Sequence, residues 1–535
     1  MPTTLGVVGA GTMGAGIAQV ALQASLGPVV LFDASAPQRD KALAAIRAGL
    51  GKLVEKGRIP AGILDGLGDR LRLASSLDEL ASCDLVVEAI PEDLALKRDL
   101  FTRLEALVAP DAILASNTSS LSITAIAGTT AHPERVVGIH FFNPVPLMAL
   151  VEVISGIRTS PDVAERAVGL VEALGKKPVR ALDTPGFIVN RVARPYYGEA
   201  LRLLGEGVAD HATIDRILTL AAGFRMGPFE LMDLIGIDVN FAVTQSVYHA
   251  FFEDSRYRPH PIQARMVAAG SLGRKTGRGF YVEPRETEPE AAQPARPPRP
   301  ERVMVLGPES ERVEWAARLR TAGHEVVTAA GDRPEWVVDL FWDREAKRSG
   351  LRALAKELPP GTAFLTSVLT VSASEVASWI PDHPRVAGMA WLPTSPEGRL
   401  VECARSLSAP VDLETCVSGF CSSLGLQTAW VADRAGLVTP RILACLVNEA
   451  ASAVMEGVAT VADVDRAMQL GVNYPLGPLA WGDRLGLDRV VGVLEGLQHE
   501  QGPDRYRPVP LLRQMALLGR RFHEPAAEPV AIAKG

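Results

Sequence analysis

Short apolar runs and helical stretches alternate along the first 180 residues. Leu5-Gly6-Val7-Val8 and Val29-Val30-Leu31-Phe32 read as buried strands, with a helix from Ala15 to Ala24 between them. Further strands are expected from Asp84 to Ile90, over Ile113-Leu114-Ala115, up to Ile139 and over Leu150-Val151-Glu152-Val153. A helix follows over Ala164–Leu174. Strands alternating with helices predict an α/β domain on a largely parallel sheet. Beyond Asp183-Thr184-Pro185-Gly186 the period turns helical to about Ala269, with Gly227-Pro228 as one break. Asn190 is expected about one turn into the first long helix there. Six prolines among charged residues from 284 to 300 make a partly stiff linker.

The chain then repeats itself. Asp183, Gly227-Pro228 and Glu152 find counterparts in Asp433, Gly477-Pro478 and Glu402, each 250 residues on (433 − 183 = 250). Gly9 matches Gly307 at an offset of 298 (307 − 9), so the second copy is a net 48 residues shorter near its start (298 − 250). The fold class is therefore α/β plus all-α: a Rossmann domain followed by a helical domain, the pair repeated with a degenerate second Rossmann-like domain. The expected divisions are 1–184, 185–283, a linker 284–301, 302–433, 434–522 and a tail 523–535.

Composition narrows this little. A net charge of −7 gives no case for nucleic acid. No apolar run reaches the roughly 18 residues of a membrane span, and only Met1 to Thr4 precede the first strand, so no signal peptide is expected. Five cysteines, an odd number without metal-ligand spacing, suit a reducing cytoplasmic location and no metal site.

The candidate chemistry starts at Gly9-Ala10-Gly11-Thr12-Met13-Gly14, a G-x-G-x-x-G between strand and helix. Its glycines permit a tight turn and close approach of a pyrophosphate to the helix N-terminus. Asp33, ending the next strand 19 residues past Gly14 (33 − 14), would accept from ribose hydroxyls and repel a 2′-phosphate, which favours NAD. The alternative is a glycine-rich turn in an unrelated α/β protein. His140 and Glu152 end one strand and lie in the next, across the proline-rich Asn143-Pro144-Val145-Pro146 loop. A histidine oriented by a carboxylate is a general acid/base near neutral pH. A satisfied core histidine beside a surface glutamate is the other reading. Ser116-Asn117-Thr118-Ser119-Ser120 follows a strand, where ligands bind in open parallel sheets, though Ser119 suits a helix N-cap equally. Residues 37–60 carry six basic residues against two acidic ones (6 − 2 = +4). That is either a solvated helix or a site for a polyanionic carrier.

Together, G-x-G-x-x-G, N-T-S-S-L, H-F-F-N-P-V-P, D-T-P-G-F-I-V-N-R and G-R-K-T-G-R-G-F-Y resemble, in order and spacing, the L-3-hydroxyacyl-CoA dehydrogenase family over Leu5–Tyr281. The tandem arrangement resembles its longer bacterial members, including those of phenylacetate or 3-hydroxybutyryl-CoA metabolism. The resemblance implies that His140 is the catalytic base, oriented by Glu152, with Ser119 and Asn190 bonding the substrate near its reacting oxygen. It implies NAD contacts from Gly9, Gly11, Thr12, Met13, Gly14, Asp33, Glu92, Lys97, Asn117 and Asn143, and a coenzyme A contact from Lys56. Gly49 and Ala149 depart from the family's frequent serine and lysine. The implied activity is NAD-dependent oxidation of an L-3-hydroxyacyl-CoA in fatty-acid β-oxidation or related metabolism. A nucleotide-binding structural or regulatory protein on the same fold, or a dehydrogenase of a free hydroxy acid, are the alternatives. The second copy carries Ala330, Ala390, Pro393 and Pro440 where the first has Asp33, His140, Asn143 and Asn190, so it is expected to bind no dinucleotide. Helical domains dimerise in single-copy relatives, so an internal pseudo-dimer of the two helical domains is expected here, with a possible homodimer of whole chains.

Overall fold

A computed structural model describes residues 4–281, 301–392 and 400–524. Linker residues 284–300, Pro393 and the tail from residue 525 lie outside the described residues. The chain forms two compact units, Met1–Val192 with Ala453–Tyr474, and Ala193–Ser452 with Pro475–Gly535. These run across the linear divisions expected from the repeat.

The first unit is built on eight strands: β1 (Leu5–Val8), β2 (Val29–Phe32), β3 (Leu71–Ala74), β4 (Leu85–Glu88), β5 (Ile113–Ser116), β6 (Val136–Phe141), β7 (Leu150–Ser155) and β8 (Lys177–Leu182). Their order is β3-β2-β1-β4-β5-β6-β7-β8. Strands β1, β4, β5 and β6 are buried along their whole length, as continuous apolar runs covered on both faces should be. The order reverses between β1 and β4, which leaves a crevice at their carboxyl ends where doubly wound sheets bind ligands. The last two strands, β7 and β8, run against the other six. β7 runs antiparallel to β6, and the register sets His140 directly opposite Glu152. The proline-rich loop between them makes that reversal.

In the second unit the order is β10-β9-β11-β12-β13-β14-β15. These strands are β9 (Arg302–Leu306), β10 (Glu325–Val327), β11 (Trp336–Asp339), β12 (Ala363–Ser367), β13 (Val386–Ala390), β14 (Leu400–Arg405) and β15 (Gln427–Val431). Again the last two strands, β14 and β15, are reversed, and Ala390 faces Glu402 as His140 faces Glu152. Between β2 and β4 the first copy has the helix Ala36–Glu55, two short helical turns, β3 and the turn Leu77–Leu80. Between β10 and β11 the second has only the turn Ala330–Asp332, so the shorter copy has lost the basic helix and one edge strand.

The stretch after Gly186 is more broken than its periodicity suggested. Asn190 lies in a four-residue helix, Val189–Val192, and a new helix, Arg194–Gly205, begins with Pro195 in its first turn. Proline supplies no amide to continue the preceding ladder, so the early end of that helix has a local cause. Within the second unit, residues of the two helical segments share buried charges. Arg441 binds Glu199 at 2.8 Å and Glu206 at 2.7 Å, and Arg505 binds Glu199 at 2.6 Å. Glu449 accepts from Tyr257 at 2.7 Å. Opposite charges, amplified by burial, hold the Glu199 carboxyl far below the usual range against its own desolvation.

Candidate active site

Four strand ends and one short helix of the first unit assemble the site. Glu152 is fully buried, and its Oε2 lies 2.7 Å from His140 Nδ1. Its Oε1 accepts the Ile188 and Val189 amides, both at 3.0 Å, and so caps the helix Val189–Val192. One carboxylate thus fixes a ring and a helix start. His140 Nε2 has no hydrogen bond to any described residue. Phe142 and Phe187 lie 4.5 and 6.0 Å from the imidazole, centroid to centroid, and make its surroundings apolar.

Asn190, next along that helix, donates from Nδ2 to the Ser119 carbonyl at 3.2 Å. Ser119 is placed in turn by Glu92, whose Oε1 accepts from its amide at 3.0 Å, from the Ser120 amide at 3.1 Å and from Thr118 Oγ1 at 2.6 Å. Burial raises the Glu92 carboxyl, but the Thr118 hydroxyl, the Lys97 charge and these amides outweigh it, so its pKa lies below the ordinary value. Asn117 Oδ1 accepts the Phe141 amide at 2.8 Å and ties the ends of β5 and β6 together beside His140. Asn117 and Glu92 therefore hold parts of the protein in place here, whatever else they touch.

Lys97 is 1 % exposed and sits on two carboxylates, Glu88 at 2.6 Å and Glu92 at 3.3 Å. Glu88 was not singled out by the sequence pattern, where it looks like the polar end of a core strand. It is fully buried and also accepts from Ser116 Oγ at 2.6 Å and the Ile90 amide at 2.7 Å. The second copy repeats the arrangement: Asp339 lies 2.7 Å from Lys347 and accepts from Thr366 at 2.6 Å. Because the pair recurs where the histidine is gone, it is a brace between strand ends. The recurrence of Lys97 as Lys347, again at 250 (347 − 97), was the signal that could have found it.

At the crevice, Gly9 adopts φ +101°, and a Cβ there would stand 2.5 Å from the Ala89 carbonyl oxygen. A Cβ at Gly14 would lie 1.8 Å from the Gly9 oxygen, whereas one at Gly11 would meet nothing within 4 Å. The first and third glycines are thus required by packing, and the second faces open space. The helix Thr12–Ala24 starts beneath that space with no side-chain cap on its amides. Asp33 Oδ2 accepts the Ala10 amide at 2.8 Å and Oδ1 the Ser35 amide at 2.9 Å. Open space above uncapped amides, flanked by a carboxylate at the end of β2, fits a dinucleotide's pyrophosphate and ribose. Met13 is half-buried and Thr12 exposed. Asn143 and Lys56 are exposed, and no side-chain contact ties either to the histidine cluster. A Cβ at Gly49 would lie 2.3 Å from Gln19 Oε1, so a serine there would require the Gln19 side chain to move.

In the second copy the geometry is bare. Glu402 still accepts the Val438 amide at 2.8 Å and the Thr439 amide at 3.1 Å. With Ala390 opposite, burial pushes its carboxyl up to about 7, against those two amides. The glutamate persists as a helix cap, and the histidine does not.

The first unit thus defines a nucleotide-binding α/β fold with a histidine–carboxylate pair beside its crevice, the equipment of a nicotinamide-dependent dehydrogenase. The sequence profile described as 3-hydroxyacyl-CoA dehydrogenase, NAD binding domain, matches residues 4–184, and that of the family's C-terminal domain matches 186–283 and again 436–527. A 3-hydroxyadipyl-CoA dehydrogenase of Escherichia coli is 41 % identical over 96 % of this chain and 98 % of its own. A probable 3-hydroxybutyryl-CoA dehydrogenase of Deinococcus radiodurans is 46 % identical, covering 52 % of this chain and 98 % of its own. The crystal structure of a 3-hydroxybutyryl-CoA dehydrogenase from E. coli aligns with a TM-score of 0.80 at 38 % identity, over 97 % of this chain and 99 % of that one. The chain belongs to the 3-hydroxyacyl-CoA dehydrogenase family, and it is an NAD-dependent oxidoreductase of 3-hydroxyacyl-CoA. No helix among the described residues is long and apolar enough to cross a membrane.

Proposed function

We propose that His140 is the base that removes the hydroxyl proton of an L-3-hydroxyacyl-CoA, with Glu152 as its orienting carboxylate. The observation that carries this reading is the buried 2.7 Å contact between His140 Nδ1 and Glu152. A carboxylate at that distance favours the tautomer protonated on Nδ1, which would leave Nε2 as the acceptor. Proton transfer from the C3 hydroxyl to Nε2 makes an imidazolium, which the adjacent carboxylate stabilises. Such general-base assistance contributes about 10²–10⁴-fold. Asn190 and Ser119, tied to each other, hold the reacting oxygen toward the ring. NAD⁺, when bound, supplies the hydride acceptor for C3. Gly9, Gly11, Gly14, the first amides of the Thr12–Ala24 helix including Met13, and Asp33 would hold its adenosine and pyrophosphate. Asn143 is the exposed polar residue nearest in sequence to His140 and is assigned to the nicotinamide side. Lys56, on the basic helix, is assigned to the coenzyme A phosphates.

For the acyl group, likeness along the whole chain to the E. coli 3-hydroxyadipyl-CoA dehydrogenase favours a dicarboxylic six-carbon substrate. The E. coli structure described as a 3-hydroxybutyryl-CoA dehydrogenase supports a four-carbon substrate as the second reading. Reduction of 3-oxoadipyl-CoA and acetoacetyl-CoA by NADH, compared as kcat/KM, decides between them. A higher value for acetoacetyl-CoA overturns the dicarboxylic reading. We further place the enzyme in the cytoplasm, consistent with its five unpaired cysteines. The divisions at residues 184, 283, 301, 433 and 522 are retained as evolutionary units, although compact packing crosses them.

A further inference from the structure

The degenerate second copy supplies a segment to the first unit, and that segment touches the elements that hold His140 and Glu152. Residues Ala453–Tyr474 belong to this unit. Their helix, Val461–Val472, lies against β7, β8 and the short helix Val189–Val192. Arg191, fully buried, binds Glu456 with both guanidinium nitrogens, Nη1 to Oε2 at 2.8 Å and Nη2 to Oε1 at 2.7 Å. The Leu182 amide donates to the Val458 carbonyl at 2.8 Å. Gly471 sits so close that a Cβ would lie 2.8 Å from Leu150 Cδ2 and 3.1 Å from Val189 Cγ2.

The Arg191 and Gly471 contacts lie within two residues of Glu152 or Asn190 along the chain. Leu150 precedes Glu152 on β7. Val189 donates its amide to Glu152 Oε1, and Asn190 stands between Val189 and Arg191. The bidentate pair pins the helix whose first amides fix the carboxylate that fixes the imidazole. We infer that Glu456, acting through Arg191, is a positioning residue for the His140–Glu152–Asn190 group, so that the second copy is a working part of the first copy's site. This rests on the reading of His140 as the base.

The repeat provides a control. Arg441 and Glu206, the counterparts of Arg191 and Glu456 in the other unit, pair at 2.7 and 2.9 Å beside Glu402, where no histidine stands. Loss of either clamp removes a similar interaction, but only one adjoins the acid/base pair. In the full-length protein, Glu456→Gln is expected to lower kcat about 10-fold or more with a smaller change in KM, since small misplacements of reacting groups are costly. Glu456→Asp should recover part of the loss. Glu206→Gln should lower Tm by a similar amount and keep kcat within about twofold of the parent, a difference too small to register as lost positioning. The second readout is the His140 imidazole titration followed by NMR, identified by the signal absent in His140→Ala. It should move in Glu456→Gln and stay in Glu206→Gln. If wild-type protein turns over no 3-oxoacyl-CoA, the reading of His140 fails on its own, and the titration still judges the positioning claim. Parent-like kcat and an unmoved titration in Glu456→Gln overturn it. So does an equal loss of kcat in Glu206→Gln, which would mark general loosening of the fold.

Discussion

Glu152→Gln separates the two jobs of one carboxylate. In the parent, Oε1 accepts two amides at 3.0 Å and Oε2 faces His140 Nδ1 at 2.7 Å. The glutamine carbonyl can keep both amide bonds, and its NH₂ then faces Nδ1. An amide donor there forces the ring proton onto Nε2, the atom proposed to accept the substrate proton. The same kind of wrong-tautomer change in a serine protease triad costs about 10⁴-fold in kcat. An effect of about 10³–10⁴-fold is expected here, or about 4–5 kcal/mol on the barrier. Folding should hardly change, because the helix cap survives. Glu152→Ala removes the cap as well. It orphans two buried amides at about 1–3 kcal/mol each, so about 2–6 kcal/mol of stability should go with the activity. Steady-state NADH oxidation and urea unfolding on both variants are the assays. A Glu152→Gln enzyme that keeps kcat within about tenfold of the parent refutes the tautomer reasoning, since general-base assistance alone is worth about 10²-fold or more.

Gly11→Ala should fold as the parent does, because its Cβ enters open space, yet bind NADH about tenfold or more weakly by fluorescence titration as the pyrophosphate loses its close approach. Lys97→Met and Lys347→Met should each lower stability by about 3–5 kcal/mol, having left a buried acid unpaired; calorimetry checks that the two losses are alike. Glu402 has a folded pKa raised from 4.5 to about 7. Its favourable contribution is therefore fully present below pH 4.5 and is lost as pH rises through 7. From ~1.4 kcal/mol per pH unit, about 3 kcal/mol is at stake. Glu402→Gln should flatten that part of the stability–pH curve in urea titrations at pH 5 and pH 8.

Local pattern carried much of this architecture. Strand, glycine turn, helix and Asp33 are contiguous features, so the crevice was legible from spacing alone. So was the meeting of His140 with Glu152, since a short loop between two strands leaves few registers. Other parts depend on non-local burial. From sequence, Lys97 is only an NAD contact implied by the resemblance, and the fold alone shows it sealed between Glu88 and Glu92. Asn117 reads as a ligand residue at a strand end, and the pattern could not show that its oxygen also accepts the Phe141 amide. The helix Val461–Val472 has an apolar face that would suit either sheet. Nothing in its periodicity could say that it belongs with β7 and β8 of the first copy. Copy-to-copy comparison recovers part of what periodicity misses. Features kept in both copies, such as the Glu152/Glu402 caps and the Lys97/Lys347 braces, hold the fold, whereas His140 and Asn190 stand in the first copy alone.

The central claim is that proton transfer by His140 drives oxidoreduction of a 3-hydroxyacyl-CoA. NADH consumption with acetoacetyl-CoA and 3-oxoadipyl-CoA, by the parent and by His140→Ala matched for NADH affinity, tests it most directly. The parent should oxidise NADH rapidly with at least one thioester and not with free acetoacetate, and the variant should lose about 10²-fold or more. Near-parental turnover by His140→Ala, with NADH still bound, would contradict it.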